Sequence, residues 1–365
     1  MRKYYLDNIR WITVVLVVIY HVIYMYNAEG ITGVVGKITS LNVQYYDIFQ
    51  YIVYPWFMCL LFVVSGVSSR LYLDNHTDRE FFRSRTTKLL VPSTIGIVVF
   101  QILQGYINVG LSEVFMKNPD LPGIAKYFIM LFSGIGVLWY IQVLWLFSVA
   151  LLLIRKIEKG RLIEASRGAS EKFGLPLLLA FAVVAFGAAQ VLNTPIIVVY
   201  RFGLYGFMFL LGYFFLSNEE AVGVLKRWFP LFLAAALAFG VAFCYTYFGA
   251  NYADKPANRS VLFVGYAYFM SMAMFGGMAK YGDFSNRFTQ WMSKRSFGLY
   301  VFHYMGISAV ALFLAKPGLI SAPAAYLLSL IGGFGGGYLL NAVISRIPFF
   351  RWAVLGIRKE KAHNV

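Results

Sequence analysis

The side chains best suited to chemistry lie in the first long apolar segment of the chain. His21 follows Arg10 by eleven positions, and Asp7 precedes both. In an α-helix, eleven steps of about 100° bring two side chains to within about 20° of one face, about 16 Å apart along the axis. The spacing therefore predicts a helix face with a cationic end and an imidazole further along.

A histidine inside an apolar segment is a candidate general base. Desolvation disfavours the charged imidazolium, so a buried ring stays neutral and is able to accept a proton. The alternative is that His21 only hydrogen-bonds a neighbouring helix and contributes to packing. The sequence leaves both interpretations open.

Two more ionisable side chains fall within apolar segments. His303 lies in the ninth segment and Arg201 at the outer end of the sixth. Such groups are costly in a bilayer, which makes them candidates for function. The other two histidines, His76 and His363, lie in polar segments and are expected to be solvated. We predict no metal site.

The composition requires a membrane to hold these residues. The chain has 365 residues, of which 60% are hydrophobic and 13% are charged. A soluble domain has about 45–50% apolar and about 25% charged residues. The two cysteines, Cys59 and Cys244, lie inside apolar runs and form no disulfide framework. These values exclude an ordinary soluble enzyme, a disordered chain and a disulfide scaffold, and they predict an all-α, polytopic membrane bundle.

Ten long apolar segments are predicted to be transmembrane helices. They lie near 9–28, 46–68, 89–109, 137–154, 174–192, 197–217, 228–249, 260–279, 297–315 and 324–345. The stretch 121–136 is partly apolar and is predicted to be a re-entrant or interfacial piece. In the last segment, the run from Gly332 to Gly337 contains two overlapping GxxxG pairs, which favour close contact with a neighbouring helix.

The basic residues indicate how the segments face. With the N-terminus in the cytoplasm and ten alternating spans, more than three quarters of the 32 basic residues fall on the cytoplasmic side. This agrees with the positive-inside rule and places both termini in the cytoplasm. The net charge of +16 is then a feature of topology and not of nucleic-acid binding.

The opening YYLDNIRWITVVLVVIYHVIYMY resembles the start of the acyltransferase-3 family of integral membrane acyltransferases. That family opens with Leu-Asp-x-Leu/Ile-Arg, ten residues and then a histidine, which match Leu6, Asp7, Ile9, Arg10 and His21. Further segments resemble the family in the same order: LLFVVSGVSSR with Ser65 and Gly66, FFRSRTTKLLVPSTIG with Arg83, Arg85 and Lys88, VLWYIQVLWL with Trp139, Tyr140 and Gln142, YRFGLYGFMFLLGYFF around Arg201, and SFGLYVFHYMGI with Tyr300 and His303.

The resemblance implies a function. Family members move an acyl group, usually acetyl or succinyl, from cytosolic acyl-CoA to a hydroxyl of an extracytoplasmic saccharide or glycolipid. His21 would act as general base or as an acyl-accepting nucleophile, with Arg10 as a second catalytic residue. We expect an integral membrane acyltransferase domain over 1–345, a short basic cytoplasmic tail over 346–365, no permanently bound cofactor, and a bacterial cytoplasmic membrane as the location.

The resemblance also implies roles for the remaining motif residues. Cationic side chains at the cytoplasmic side would bind the CoA phosphates, or else lipid headgroups: Arg10, Arg83, Arg85 and Lys88. Residues at outer span ends would bind a sugar, or else form an aromatic belt: Trp139, Tyr140, Gln142 and Arg201. Supporting positions in the motifs are Asp7, Ser65, Tyr300 and His303, the last as a structural or pathway residue. The acidic side chains closest to His21 in the first outer loop are Glu29 and Asp47.

Two other functions fit a bundle with buried ionisable groups. One is a proton-coupled transporter that exports a glycan or a small metabolite, although the two halves show no convincing repeat. The other is a membrane sensor or assembly subunit without chemistry. The matched spacing of Arg10 and His21 argues against the second.

Overall fold

The computed structural model describes residues 2–29, 33–194 and 199–358, and within these ranges it contains helices and loops but no β-strand. In chain order the α-helices are α1 (Tyr4–Met25), α2 (Ile48–Leu73), α3 (Asp78–Arg85), α4 (Ile102–Ser112), α5 (Val114–Lys117), α6 (Gly123–Ser133), α7 (Trp139–Glu158), α8 (Arg161–Gln190), α9 (Phe202–Leu210), α10 (Glu219–Arg227), α11 (Phe229–Tyr247), α12 (Val261–Tyr281), α13 (Arg287–Val310), α14 (Ala322–Ile331), α15 (Gly337–Ile344) and α16 (Pro348–Leu355). Segments of π-helix lie at Thr86–Leu90, Ile97–Gln101, Leu211–Phe215, Ala311–Ala315 and Gly332–Gly336.

Eight helical stretches in the described part of the chain are long and apolar enough to cross a membrane. They are Tyr4–Met25, Tyr45–Leu73, Gly136–Glu158, Arg161–Gln190, Phe229–Tyr247, Val261–Tyr281, Arg287–Ala315 and Ala322–Ile344. Each contains one of the ten predicted segments or most of it. The expected helical membrane bundle is therefore confirmed.

The third and sixth predicted segments are helical but shorter. The sixth corresponds to Phe202–Phe215, which meets α10 at a bend of 109°. The third corresponds to Ile97–Ser112, because residues 91–94 form a turn around Pro92, which has no backbone N–H to continue a helix. The number of ten spans and the cytoplasmic placement of both termini stay predictions.

The fifth predicted span begins at a kink. Gly174 lies inside α8 with φ 33° and ψ −106°, a backbone conformation that a helix does not allow. The residues before it are rich in charge, and the residues after it, starting near Pro176, are apolar. The predicted segment 174–192 therefore starts where the polar part of α8 ends.

The described residues fall into two compact units. The first consists of Met1–Tyr20, Tyr45–Phe81 and Leu146–Lys294. Its most buried span, α2, packs against α9 and α12. A Cβ atom at Gly66 would lie 2.0 Å from the carbonyl oxygen of Phe209, and one at Gly212 would lie 2.2 Å from that of Val63. The glycine of the Ser-Gly motif thus lets two helix backbones touch.

The second unit consists of His21–Gln44, Phe82–Trp145 and Arg295–Val365, described as far as residue 358. Polar contacts join its third and ninth predicted spans. The Gln104 amide donates to the Ser308 hydroxyl at 2.9 Å, and the Lys316 ammonium lies 2.8 Å from the Glu113 carboxylate. The two spans are therefore bound to each other by side chains along their length.

Helix α16 packs into the same second unit. Its residues Ala353, Val354 and Leu355 are buried. A Cβ atom at Gly96 would lie 2.7 Å from the carbonyl oxygen of Ala353, so the helix rests on the third predicted span. The start of the predicted tail over 346–365 is thus a packed helix, and the domain boundary at 345 stays a prediction.

Candidate active site

Two histidines, 282 positions apart in the sequence, meet within the second unit. His21 Nδ1 and His303 Nε2 are 3.2 Å apart, and their ring centroids are 5.0 Å apart. His303 is fully buried and His21 is half-buried. The sequence predicted both residues but did not predict that they share a hydrogen bond.

The hydrogen bonds assign a tautomer to each ring. His303 Nδ1 lies 2.9 Å from the carbonyl oxygen of Tyr300 and 3.2 Å from that of Leu299, and a carbonyl only accepts. His303 Nδ1 therefore carries the hydrogen and its Nε2 carries a lone pair. That lone pair accepts from Nδ1–H of His21, which leaves the lone pair of His21 on Nε2. His21 Nε2 is thus a proton acceptor.

His21 Nδ1 bonds the imidazole of His303. The sequence offered only Glu29 and Asp47 as acidic residues near the first span. Histidine at this place gives the same orientation of the His21 ring as a carboxylate would, because each presents an acceptor to Nδ1–H. The pairing was not predictable, since no spacing in the sequence relates positions 21 and 303.

Small residues bring the backbone that carries His303 close to its neighbour. A Cβ atom at Gly306 would lie 2.0 Å from the carbonyl oxygen of Gly332. Gly337 would place its Cβ 3.4 Å from the Cα atom of His303. The glycine run between 332 and 337 therefore packs α13 against the last predicted span, as expected, and holds the backbone of His303 in place.

Tyrosines surround the histidine pair. The rings of Tyr24 and Tyr304 meet the His21 ring edge to face, with centroids 6.0 Å and 5.1 Å away. Tyr300, one turn before His303, donates its hydroxyl hydrogen to the carbonyl oxygen of Val137. This bond connects α13 to the first residue of the predicted aromatic block. Tyr304 was not among the predicted site residues, although it follows His303 directly.

The predicted aromatic block lies partly near this pair. The Tyr140 ring centroid is 6.1 Å from that of Tyr300, and Trp139 adjoins Tyr140 at 6.3 Å. The Gln142 amide donates to the carbonyl oxygen of Ser93 at 3.0 Å, in the turn that interrupts the third span. Gln142 therefore contacts protein backbone here, and the sugar-binding role of the block stays a prediction.

Arg10 is oriented by neighbours within the first unit. Its guanidinium lies 2.7 Å from the Asp7 carboxylate, one turn earlier on α1, and also donates to the Ser68 hydroxyl. The Ser68 hydroxyl in turn donates to the carbonyl oxygen of Val64 at 2.6 Å. Asp7 and Arg10 thus form an ion pair on one helix face, which the sequence analysis did not predict.

The serine that contacts Arg10 was missed in the sequence. The motif pointed to Ser65, which lies in α2 one turn before Ser68 and is buried. Ser68 lies three positions further and therefore on a neighbouring part of the same helix face. That spacing was visible in LLFVVSGVSSR, but nothing in it distinguished which serine faces α1.

The basic residues predicted to bind CoA phosphates lie at one end of the third span. Arg83 and Arg85 close helix α3, and Lys88 lies in the π-helical segment that follows. Arg83 and Lys88 are exposed and Arg85 is half-buried. A Cβ atom at Gly356, just after α16, would lie 2.5 Å from the carbonyl oxygen of Thr87, so α16 ends beside this segment. Phosphate binding by these residues stays a prediction.

Arg201 is much more buried than an outer span end suggested. Only 3% of its surface is exposed, and it lies at the N-terminus of α9 in the first unit. Aromatic rings surround its guanidinium, with the centroids of Tyr205 and Phe263 at 4.9 Å and 4.8 Å. The described residues include no group of three or more metal-ligating side chains.

Taken together, fold and site define a polytopic helical membrane protein that holds a pair of hydrogen-bonded imidazoles. Comparison of the sequence with known proteins shows which family the chain resembles. The model of a family described as an acyltransferase domain matches residues 3–342. Glucans biosynthesis protein C of Escherichia coli strain K12 is 24% identical over 385 residues, which cover 100% of this chain and 97% of that protein. The protein of the same name in Shigella boydii serotype 4 is 23% identical over 386 residues, with the same coverage. No solved structure matches.

The chain belongs to the acyltransferase-3 family. It is therefore an acyltransferase, as the resemblance of its first span and its later motifs implied. Its eight long apolar helices agree with a multi-pass membrane protein.

Proposed function

We propose that this chain transfers an acetyl or succinyl group from cytosolic acyl-CoA to a hydroxyl of a saccharide or glycolipid on the outer side of the cell membrane. Family membership supports the acyl transfer. The relatives named for glucan biosynthesis, which match along their whole length, support a saccharide acceptor.

The observation that carries the mechanism is the bond between His21 Nδ1 and His303 Nε2. It assigns a proton-accepting lone pair to His21 Nε2. His21 belongs to the family motif, which lies in α1. A saccharide hydroxyl is a weak nucleophile and needs a base to remove its proton. His21 is the base in this proposal, and His303 is the positioning residue that fixes its tautomer.

The reaction balances with these groups. His21 Nε2 removes the hydroxyl proton while the hydroxyl oxygen attacks the thioester carbonyl carbon. The carbon–sulfur bond then breaks, and CoA leaves as a thiolate. The proton on His21 passes to that thiolate, which returns the ring to its starting tautomer. In the second form of the mechanism, His21 Nε2 first attacks the thioester carbonyl carbon, the carbon–sulfur bond breaks and CoA leaves as a thiolate. The hydroxyl oxygen then attacks the acyl carbon, the carbon–nitrogen bond to His21 breaks, and the hydroxyl proton passes to the thiolate.

The donor is proposed to bind through its phosphates on the cytoplasmic side. Three cations lie close together here and are at least partly exposed: Arg83 and Arg85 at the end of α3, and Lys88 in the π-helical segment that follows. Arginine binds phosphate oxygens through two parallel N–H groups, and lysine adds a point charge. Phosphate binding by Arg10, which Asp7 and Ser68 orient, stays a prediction from the sequence.

A proton-coupled transporter is set aside on the family finding. The chain belongs to an acyltransferase family over nearly its whole length, which is not expected of an exporter. The histidine pair by itself does not distinguish the two functions, because proton-coupled transporters also contain buried histidines.

The test is acyl transfer by the purified protein. Labelled acetyl-CoA or succinyl-CoA is supplied with a neutral glucan oligosaccharide, and label on the oligosaccharide is measured. We expect transfer by the wild type and a loss of about 10²–10⁴-fold in rate for His21→Gln. Gln keeps similar size and hydrogen bonding but cannot take up and return a proton.

A matched control separates catalysis from general damage. His76→Gln changes an exposed histidine that bonds the carbonyl oxygen of Tyr72, and it should retain wild-type transfer. A well-folded His21→Gln protein with near-normal transfer would contradict the role of His21. Absence of transfer by the wild type with both donors would contradict the proposed function. Label retained on the wild-type protein after denaturation would identify the nucleophilic form.

A further inference from the structure

Arg201 is a buried cation without an acidic partner. Its guanidinium lies over three rings of the first unit, at 4.8 Å from the centroid of Phe263, 4.9 Å from Tyr205 and 5.4 Å from Tyr54. Only 3% of the residue is exposed. Within the described residues Arg201 forms no ion pair. Asp254, in the loop before α12, is exposed and accepts a bond from the Lys255 backbone N–H.

Several polar groups in this cluster have no hydrogen-bond partner in the described part of the chain. Arg201 Nη2 donates to the Tyr205 hydroxyl, but Arg201 Nε and Nη1 bond nothing there. The buried hydroxyl of Tyr54 also lacks a partner. The great majority of buried polar groups in proteins have a hydrogen-bond partner. Three such atoms without a partner around one charge therefore indicate a missing ligand.

The chemistry of the cluster specifies the charge of that ligand. Aromatic faces stabilise a guanidinium only in part, and a buried cation needs an anion for the remainder. Arg201 also precedes the first residue of α9, where the helix dipole adds positive potential. A small oxyanion satisfies all of these groups together, and a neutral sugar hydroxyl does not neutralise the charge.

We propose that Arg201, Tyr54 and Tyr205 form a binding site for a carboxylate group of a substrate. Under the proposed function that carboxylate has two possible sources. One is the free end of a dicarboxylic acyl group such as succinyl. The other is an acidic substituent on the saccharide acceptor. Both sources present the same carboxylate to Arg201. That the carboxylate belongs to an acyl group or to a saccharide rests on the proposed function, whereas the binding of an anion does not.

Succinate is the probe for binding, with the neutral analogue succinamide beside it. We expect succinate, but not succinamide, to raise the melting temperature of the purified wild-type protein, because a ligand of the folded state stabilises it. Arg201→Met should weaken the apparent succinate affinity by about ten-fold or more. Arg259→Met is the matched control, since Arg259 is a half-exposed arginine in the loop before α12, and it should respond to succinate as the wild type does.

The variant also tests whether Arg201 is merely structural. Without a ligand, Arg201→Met should melt at the same or a higher temperature than the wild type, because it removes an unpaired buried charge and keeps apolar contact with the rings. A lower melting temperature together with an unchanged succinate response would overturn the proposal. So would a wild-type protein that does not respond to succinate.

Transfer assays distinguish the two sources. A fall of about ten-fold or more in the ratio of succinyl to acetyl transfer in Arg201→Met assigns the site to the acyl group. A fall in the ratio of transfer to an acidic over a neutral glucan assigns it to the acceptor. Unchanged ratios in both assays would overturn a substrate role. If the wild type transfers no acyl group, the proposed function fails while the succinate binding result stands on its own.

Discussion

At the scale of single residues, the acceptor on His303 determines what His21 is able to do. A carbonyl oxygen of Tyr300 fixes the hydrogen on His303 Nδ1, and His303 Nε2 then fixes the hydrogen on His21 Nδ1. Without His303, the His21 ring loses a partner that distinguishes its two tautomers. In the proposed mechanism His303 does not contact the reacting atoms. It therefore acts on the reaction only by favouring one tautomer and one orientation of the His21 ring.

Replacing His303 tests this positioning role. His303→Leu should lower kcat by about 10–100-fold, as the loss of an orienting partner does at other sites, with little change in KM. His303→Gln places an amide oxygen near the former position of Nε2 and should recover part of kcat. Rates and melting temperatures of both variants are measured. Equal losses of kcat that follow equal losses of stability would show a packing role only.

At the scale of elements, contact between glycines positions the helix that carries His303. A Cβ atom at Gly306 would lie 2.0 Å from the carbonyl oxygen of Gly332, and one at Gly332 would lie 2.7 Å from that of Gly306, so neither position has room for a side chain. Such backbone contact lets α13 and the last predicted span approach further than larger residues allow, which favours helix association in lipid. The position of the histidine pair therefore depends on glycines, which carry no side chain of their own.

Gly306→Val should separate α13 from its neighbour and disturb the pair. The added carbons would meet the carbonyl oxygen of Gly332 at about the 2.0 Å found for a Cβ atom there, which no small shift relieves. We expect a lower melting temperature and a large loss of acyl transfer. Gly335→Ala, in the same glycine run, is the control, because its Cβ would meet only the Ile331 side chain at 4.0 Å. Equal behaviour of the two variants would contradict the contact.

Helix α3 and the segment after it give a prediction about the donor. Changing Arg83, Arg85 and Lys88 together to Ala should weaken acyl-CoA binding, with about 1.5–3 kcal/mol lost for each charge-assisted contact removed. Arg79→Ala, an exposed arginine on the same helix, is the control. Affinity for acyl-CoA is measured by titration with the purified proteins. Unchanged donor affinity in the triple variant would leave lipid headgroups as the partners of these residues.

At the scale of the whole molecule, the charge distribution predicts which loops face the outside. In a background without Cys59 and Cys244, single cysteines are placed in loops on both sides. We expect labelling of intact cells by an impermeant thiol reagent for Lys37→Cys, Asp120→Cys and Lys255→Cys. We expect protection for Asp78→Cys, Ala165→Cys and Arg287→Cys. Protection at position 120 or 255 would contradict ten alternating spans.

The sequence predicted most of the architecture because bilayer burial leaves a strong local pattern. Apolar length and charge asymmetry located the helical segments, and the spacing of Arg10 and His21 located the first functional helix. The broken third span escaped prediction, since its hydropathy is continuous while a turn around Pro92 interrupts the helix. Hydropathy reports the environment of a segment and not its backbone.

The features of the site that the sequence analysis did not predict depend on contacts between distant segments. The pairing of His21 with His303, the choice of Ser68 beside Ser65, and the burial of Arg201 among rings all follow from how helices pack. No pattern within one segment contains that information. Family motifs pointed to His303 and Arg201 as positions of interest but not to what each contacts.

The chain of hydrogen bonds through the two imidazoles bears on whether acyl transfer depends on the proton-motive force. It ends at the carbonyl of Tyr300, an oxygen that has no hydrogen to pass on. A proton wire needs a donor and an acceptor at every link, so this chain does not conduct protons across the bilayer. In the proposed mechanism, the proton that His21 takes from the acceptor is returned within the same turnover, and the cycle is electroneutral. Acyl transfer should therefore run at full rate in detergent, where no proton-motive force exists.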